Sequence, residues 1–344
     1  MKFGLFGGAT ARRGGVASDS NQGYRDFIDY VVEAEELGFH SVFLVEHHFT
    51  GYGQVSASLN LLTFLAARTS RIRLGTAVVV VPWHNPILLA EKAATVDLLS
   101  GGRLDFGVGK GYRHNEFQGF NVPMAEAEAR FEEGIEVIRK AWTSDERFTH
   151  RGRFWLFEDV IVEPPTVQKP HPPFWLASGR PESIRYAARN GYNLLLDQVA
   201  GIELVIERFN IYREAVEASG RTFDPSTVAV ARALHVAQDA DDLAHANARR
   251  AEALDRFNRL ARTPDGVITS TMFVNNDTRL ASEEGSLIGT PDTIAERIER
   301  LRAGGIEYLL FVDVEGRKQD LRSFARDIMP AFDGAPAAAA DAAE

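Results

Sequence analysis

The 344-residue chain contains no cysteine. That excludes disulfides, thiolate nucleophiles and sulfur-ligated metals, and it fits a reducing compartment. An excess of base is missing as well: 48 acids against 38 bases leave a formal net charge of −10, so no broad footprint for nucleic acid or an acidic membrane surface is expected. Long apolar runs are also absent. Phe3 to Phe6, broken by Gly4, is too short for the core of a signal peptide. Arg12-Arg13 is followed by Gly14, Gly15, Ser18, Asp19 and Asn21, where a twin-arginine signal needs an apolar stretch. A cytoplasmic protein with no membrane or nucleic-acid partner is the expectation. Histidines at metal-ligand spacing and a convincing nucleophile elbow are lacking too, which argues against a metal site and against a barrel hydrolase.

What the chain does have is ample core material, with 45% hydrophobic and 25% charged residues. Short apolar runs alternate with longer amphipathic segments, the pattern of repeated βα units around a parallel sheet. Strands are predicted at about 2–7, 41–46, 72–80, 104–109, 173–178, 193–197, 228–235 and 307–313. Eight strands suit a closed (β/α)8 barrel. Helical patterns run from Tyr24 to Leu37, Ala57 to Arg68, Pro86 to Leu99, Ala125 to Trp142, Pro181 to Asn190, Gly201 to Ser219 and Pro291 to Ala303. Thr290 before Pro291 reads as a cap followed by proline at the first helical position, and Gly38, Gly191 and Gly220 stand as helix terminators.

No linker divides residues 1–334, so a single domain is expected. Two stretches depart from strict alternation. Residues 148–172, aromatic and then proline-rich, read as an excursion ahead of the fifth strand. Residues 258–289 are longer than an ordinary connection and mix Gly, Ser, Thr, Asn and Asp, a candidate active-site lid. The alanine-rich tail 335–344 has little to bury and is expected to be disordered.

Chemistry concentrates where the second strand ends, in Val45-Glu46-His47-His48-Phe49-Thr50-Gly51-Tyr52-Gly53. Carboxyl ends of strands are where parallel α/β folds place their active sites, and histidine titrates near the operating pH. Neighbouring side chains on a strand point to opposite faces, so one of the two imidazoles is expected to be structural unless the strand has already ended. Gly107-x-Gly109-x-Gly111 follows a strand, but its third glycine comes one residue too early for a dinucleotide fingerprint and no helix follows at once. These glycines permit close approach of a flat ligand, with Lys110 as a cation for phosphate. In Ala177-Ser178-Gly179-Arg180-Pro181-Glu182-Ser183 a strand turns into a helix, whose unpaired N–H groups favour an anion. Tyr112, His114, Asn115 and Glu116 either line or merely cover the cavity. Trp83, Phe49 and Tyr52 suit an apolar substrate wall.

Taken in order, Glu46 to Thr50, Leu74-Gly75-Thr76-Ala77-Val78, Pro82-Trp83-His84-Asn85-Pro86, Leu98-Leu99-Ser100-Gly101-Gly102-Arg103, Phe106 to Gly111, Ala177 to Arg180 and Ile288-Gly289-Thr290-Pro291 resemble the bacterial luciferase-like family of flavin-dependent monooxygenases over nearly the whole length. The resemblance implies a luciferase-like TIM barrel that uses reduced FMN and O2 to oxygenate a small organic substrate through a flavin C4a-peroxide. It implies His47 as the acid or base with Glu46 in support, and Thr76, Ala77 and Val78 against the flavin ring with a cis peptide between Ala77 and Val78. Gly109, Lys110, Gly179, Arg180 and Ser183 would hold the cofactor. A separate NAD(P)H:flavin reductase and a homodimer are implied as well. Where the family's luciferases carry a reactive cysteine this chain has Gly109, which weakens a claim of light emission, and Arg180 replaces a serine found in some members. Two rivals keep the fold: hydride transfer with the deazaflavin F420, and a flavin-binding subunit without turnover.

Overall fold

The structure, a computed structural model, describes residues 1–11, 21–270, 285–314 and 316–332. The first half of the chain forms β1 (Lys2–Gly7), α1 (Gln22–Glu36), β2 (Ser41–Leu44), α2 (Ser58–Arg68), β3 (Arg73–Thr76), β4 (Val79–Val80), α3 (Pro86–Leu99), β5 (Leu104–Gly109), α4 (His114–Gly119) and α5 (Ala127–Thr143). Then come β6 (Phe148–Arg151), β7 (Leu156–Val160), β8 (Phe174–Ala177), α6 (Pro181–Arg189), β9 (Asn193–Leu196), α7 (Ile202–Ala218), β10 (Val228–Val236) and α8 (Ala240–Leu260). The chain continues with β11 (Leu287–Gly289), α9 (Pro291–Ala303), β12 (Tyr308–Asp313) and α10 (Lys318–Asp327). Strands β1, β2, β3, β5, β8, β9, β10 and β12 pair in parallel in that order, and β12 returns to β1, closing a TIM barrel.

These strands close because both of their faces can be buried. β10 reads Val-Ala-Val-Ala-Arg-Ala-Leu-His-Val, and all nine residues are buried, the near-continuous run of a strand covered on two sides. Inside the barrel Phe43, Trp175, Leu195, Ala229, Tyr308 and Leu310 interlock, with Phe6, Ala77 and Val78 packed onto them. Glycine makes room for this filling. A Cβ on Gly75 would lie 2.4 Å from the Phe43 ring, and one on Gly107 would lie 1.7 Å from the Thr76 carbonyl oxygen. Polar groups at the amino-terminal end are paired: Arg73 grips Asp105 through Nε (2.7 Å) and Nη2 (2.9 Å), Trp175 Nε1 donates to the same carboxylate, and Tyr308 Oη donates to Ser41 Oγ. Such pairing offsets the cost of burying these groups.

Helix starts follow the capping chemistry of the sequence. Asn85 Oδ1 accepts from the N–H groups of Ile87 and Leu88 ahead of α3, and Thr290 Oγ1 accepts from Thr293 N–H ahead of α9. Arg103, at the end of the Leu98-to-Arg103 landmark, donates to the carbonyls of Ser100, Ile72, Ala66 and Thr69 and to Thr69 Oγ1, tying α2 to the start of β5. That landmark is therefore structural.

Several boundaries differ from expectation. The second strand ends at Leu44, and the expected strand 72–80 is split into β3 and β4 around a cis Ala77–Val78 peptide. The excursion at 148–172 contains the antiparallel hairpin β6–β7 and cis bonds before Pro164 and Pro170. Helices α4, α8 and α10 have no counterpart in the expected pattern. In α8 the buried stripe is only Ala246, Arg250 and Leu254, too little apolar character to register as a helical period. Yet this 21-residue helix, roughly 30 Å long at 1.5 Å per residue, lies over the barrel mouth. Leu254 packs with Val199 after β9 and Tyr112 after β5, and the Arg256 guanidinium stands 5.0 Å over the Tyr52 ring after β2. Residues 271–284 of the expected lid and the tail 335–344 lie outside the described residues. No described helix is long and apolar enough to cross a membrane.

Candidate active site at the carboxyl end of the barrel

Because β2 ends at Leu44, Glu46, His47 and His48 stand on a loop rather than a strand, and strict alternation no longer governs them. The loop is anchored on both sides: Val45 N–H bonds the Gly7 carbonyl, and His47 N–H bonds the Val55 carbonyl. Two buried carboxylates then divide the histidines between them. Glu46 Oε1 accepts from His48 Nε2 (2.9 Å) and His84 Nε2 (2.8 Å), while its Oε2 accepts from Val80 N–H. Glu116, on α4, uses Oε1 to accept from His47 Nδ1 (3.1 Å) and from the His48 backbone N–H (2.8 Å).

An ionised carboxylate only accepts, so this geometry puts the His47 proton on Nδ1 and leaves Nε2 without a protein partner among the described residues. Burial pushes His47 below its ordinary value, the Glu116 hydrogen bond pulls it up, and the nearby Arg113 charge pushes it down; the net is downward. Glu46 experiences the opposite balance. Burial raises its carboxyl, but the hydrogen bonds from His48 and His84 outweigh burial and hold it below the usual range. His48 is further enclosed by rings, with Phe120, Trp83 and Phe49 at 4.7, 5.6 and 5.8 Å between centroids. Each imidazole thus has one ring nitrogen on a carboxylate, and the rings packed around His48 are what set the two apart.

The Val80 bond places this cluster beside the Ala77–Val78 peptide, where Gly109 packs so closely that a Cβ would lie 2.6 Å from Val78. Across the mouth, α6 starts at Pro181 after Arg180 with no side chain capping it, so its first N–H groups remain available to an anion. An apolar floor of Phe6, Ala77 and Val78, with an uncapped helix start at the same end of the barrel, fits the ring and phosphate of a flavin-type cofactor.

The luciferase-like monooxygenase family model matches residues 1–308. The chain belongs to that family. Over 350 residues it is 27% identical to the oxygenase component of flavin-dependent trigonelline monooxygenase from Acinetobacter baylyi, covering 96% of each chain. It is 32% identical over 216 residues to the F420-dependent glucose-6-phosphate dehydrogenase of Amycolatopsis mediterranei, covering 60% of this chain and 64% of that one. The crystal structure of the monooxygenase RslO1 from Streptomyces bottropensis shares the fold with a TM-score of 0.81 at 30% identity, covering 96% of this chain and 100% of that one.

In this member of the family the residues singled out in the sequence fall into two groups. Glu46, His47, Thr76, Ala77, Val78 and Gly109 come together around the end of β2 and the β3–β4 break. Gly179, Arg180 and Ser183 sit at the start of α6. Lys110 belongs to neither group: its Nζ pairs with Glu128 of α5 at 3.3 Å, half exposed at the rim. Sequence reasoning left Glu116 undecided and missed Arg113, Gln54 and the place of His84. It also missed Arg208, whose guanidinium lies 3.2 Å from where a Gly179 Cβ would stand and is paired with Asp197. An Arg-x-x-Glu at the start of a helix after a glycine loop was the available signal for the first pair. Among the described residues no cluster has the makings of a metal site.

Proposed function

We propose that the protein is an FMN-dependent monooxygenase of the cytoplasm that uses reduced FMN and O2 to oxygenate a small organic substrate, with a separate NAD(P)H:flavin reductase supplying the reduced cofactor. The observation that carries this reading is His47: Glu116 holds its Nδ1, which leaves Nε2 to meet a ligand, on the loop whose Glu46 bonds Val80 N–H just past the Ala77–Val78 peptide. Support for a flavin over F420 comes from the trigonelline relative, a flavin-dependent monooxygenase that aligns over 96% of both chains. When bound, the flavin supplies the redox chemistry with oxygen.

The chain's own residues supply the rest. Thr76, Ala77, Val78 and Gly109 form the platform for the ring. Gly179, Arg180 and Ser183 offer backbone N–H groups and a hydroxyl to the phosphate, with Lys110 a longer-range cation. His47 Nε2 takes or gives a proton at the reacting centre, while Glu116 fixes its tautomer and Glu46 holds the surrounding loop. Helix α8 excludes water from above. Phe64 of α2 and Leu88, Leu98 and Leu99 of α3 are about half exposed, an apolar face suited to a homodimer. Sedimentation of Phe64→Glu as a monomer beside a dimeric parent tests that assembly.

Anaerobic titration with reduced FMN and with reduced F420, followed by admission of ¹⁸O2 in the presence of a panel of small organic substrates, tests the chemistry. Tighter binding of reduced FMN and one ¹⁸O atom in a product are expected. Tight reduced-F420 binding without oxygen uptake overturns the proposal, and binding of either flavin with no turnover favours a flavin-binding subunit.

A further inference from the structure

Arg113 is 1% exposed, an expensive place for a charge, and it lies on the lead-in to α4. Its Nη1 stands 3.7 Å from Glu116 Oε1 and 3.3 Å from Gln54 Oε1, its guanidinium is 5.6 Å from the Tyr112 ring centroid, and its Nε has no partner. The same Glu116 oxygen receives His47 Nδ1 at 3.1 Å. One buried carboxylate therefore faces two groups that can be cationic. A guanidinium keeps its charge at any pH a protein sees, whereas an imidazole does not.

We propose that Arg113 is a positioning residue that keeps His47 neutral by pre-empting the Glu116 charge, so that Nε2 stands ready as a proton acceptor. This rests on reading His47 as the proton-handling group. The other titratable groups around His47 are few. Glu46 and His48 come from its own loop, with Glu46 committed to His48 and to His84, and Glu116 and Arg113 come from the α4 side. A proton on His47 would set a second positive charge against a carboxylate already balanced by Arg113. Without Arg113, the same proton would complete a neutral ion pair.

The imidazole titration of His47, followed by ¹H–¹⁵N NMR in the flavin-free protein and assigned by its loss in His47→Gln, tests the proposal. Arg113→Met raises the midpoint by about one pH unit, a tenfold gain in proton affinity. Arg113→Lys, which keeps the charge, leaves it where it was, and Glu116→Gln lowers it. Opposite signs for Arg113→Met and Glu116→Gln are the signature, because a loop merely loosened to water raises the midpoint in both. An unmoved midpoint in Arg113→Met overturns the proposal. So does a rise in Arg113→Lys as large as in Arg113→Met, or any rise in Glu116→Gln. Should Arg113→Met fail to fold, the Arg113→Lys and Glu116→Gln outcomes decide alone. A protein that shows the expected pattern yet never oxygenates a substrate removes the proposed function and leaves this inference standing.

Discussion

Glu46 and Glu116 are both buried carboxylates at the end of β2, 3% and 2% exposed, and both are bound by histidine, yet they serve different purposes. Around Glu46 the two histidines and a backbone N–H converge on one acid, and aromatic rings close over His48. Around Glu116 a single imidazole is held by one nitrogen and a buried arginine stands behind the acid. The first arrangement spends its hydrogen bonds on holding the loop. The second sets one imidazole and a buried guanidinium against the same acid. Identical residue types thus stand in different surroundings, rings and a second imidazole beside His48, a guanidinium behind the acid that holds His47.

The largest test of that division is His47→Gln, which keeps a donor for Glu116 but removes the titratable nitrogen. Turnover with reduced FMN is expected to fall on the order of 10²–10⁴-fold, with the denaturation midpoint little changed. A variant that unfolds instead would put His47 with the scaffold. Next is Glu46→Ala, which strands two imidazoles and the Val80 N–H in a buried site. A loss of about 3 kcal/mol in chemical denaturation is expected at neutral pH, and a loss near zero would erase the contrast between the two acids. His84→Leu, which removes one donor of that cluster at a half-buried position, is expected to cost about 1 kcal/mol by the same assay.

The smallest effects are in the pH dependence of stability. His47 is held below its ordinary 6.5, so on acidification the unfolded chain takes up a proton that the folded chain resists, and stability falls as pH drops below about 6.5. His40, at the opposite end of the barrel, is pushed down by burial to about 4, with Lys2 adding to the push, and contributes slope in the same window. The parent minus His47→Gln difference curve isolates the His47 share; a flat difference refutes it. Glu46, held below 4.5, stabilises fully above that pH and loses its contribution as pH falls through its folded value. Glu46→Gln should therefore lose less stability than the parent below pH 4.5.

Much of this molecule was readable in one dimension. The alternation of apolar runs and capped helices located all eight barrel strands, because burial on both faces and caps such as Asn85 and Thr290 leave local marks. The unusual peptide at Ala77–Val78 was implied by family resemblance and is cis in the structure. Less legible was α8, whose buried face is an alanine, an arginine and a leucine, so nothing in its periodicity announced a helix across the mouth. Nor was the pairing of Lys110 with Glu128 legible, a partner eighteen positions on that no local rule selects.

The sequence by itself determined that a strand would deliver an acid and two histidines to the catalytic end of a barrel, since strand propensity, its abrupt polar end and the family's ordered landmarks are all local or linear properties. Only the tertiary structure decided which carboxylate each histidine meets. His47 meets Glu116 across 69 residues of chain, and Glu46 meets His84 across 38. Those pairings depend on where β5 and β3 bring α4 and the His84 segment alongside the β2 loop. Hydrogen bonds act over about 3 Å, so a group's role is set by neighbours in space rather than in sequence.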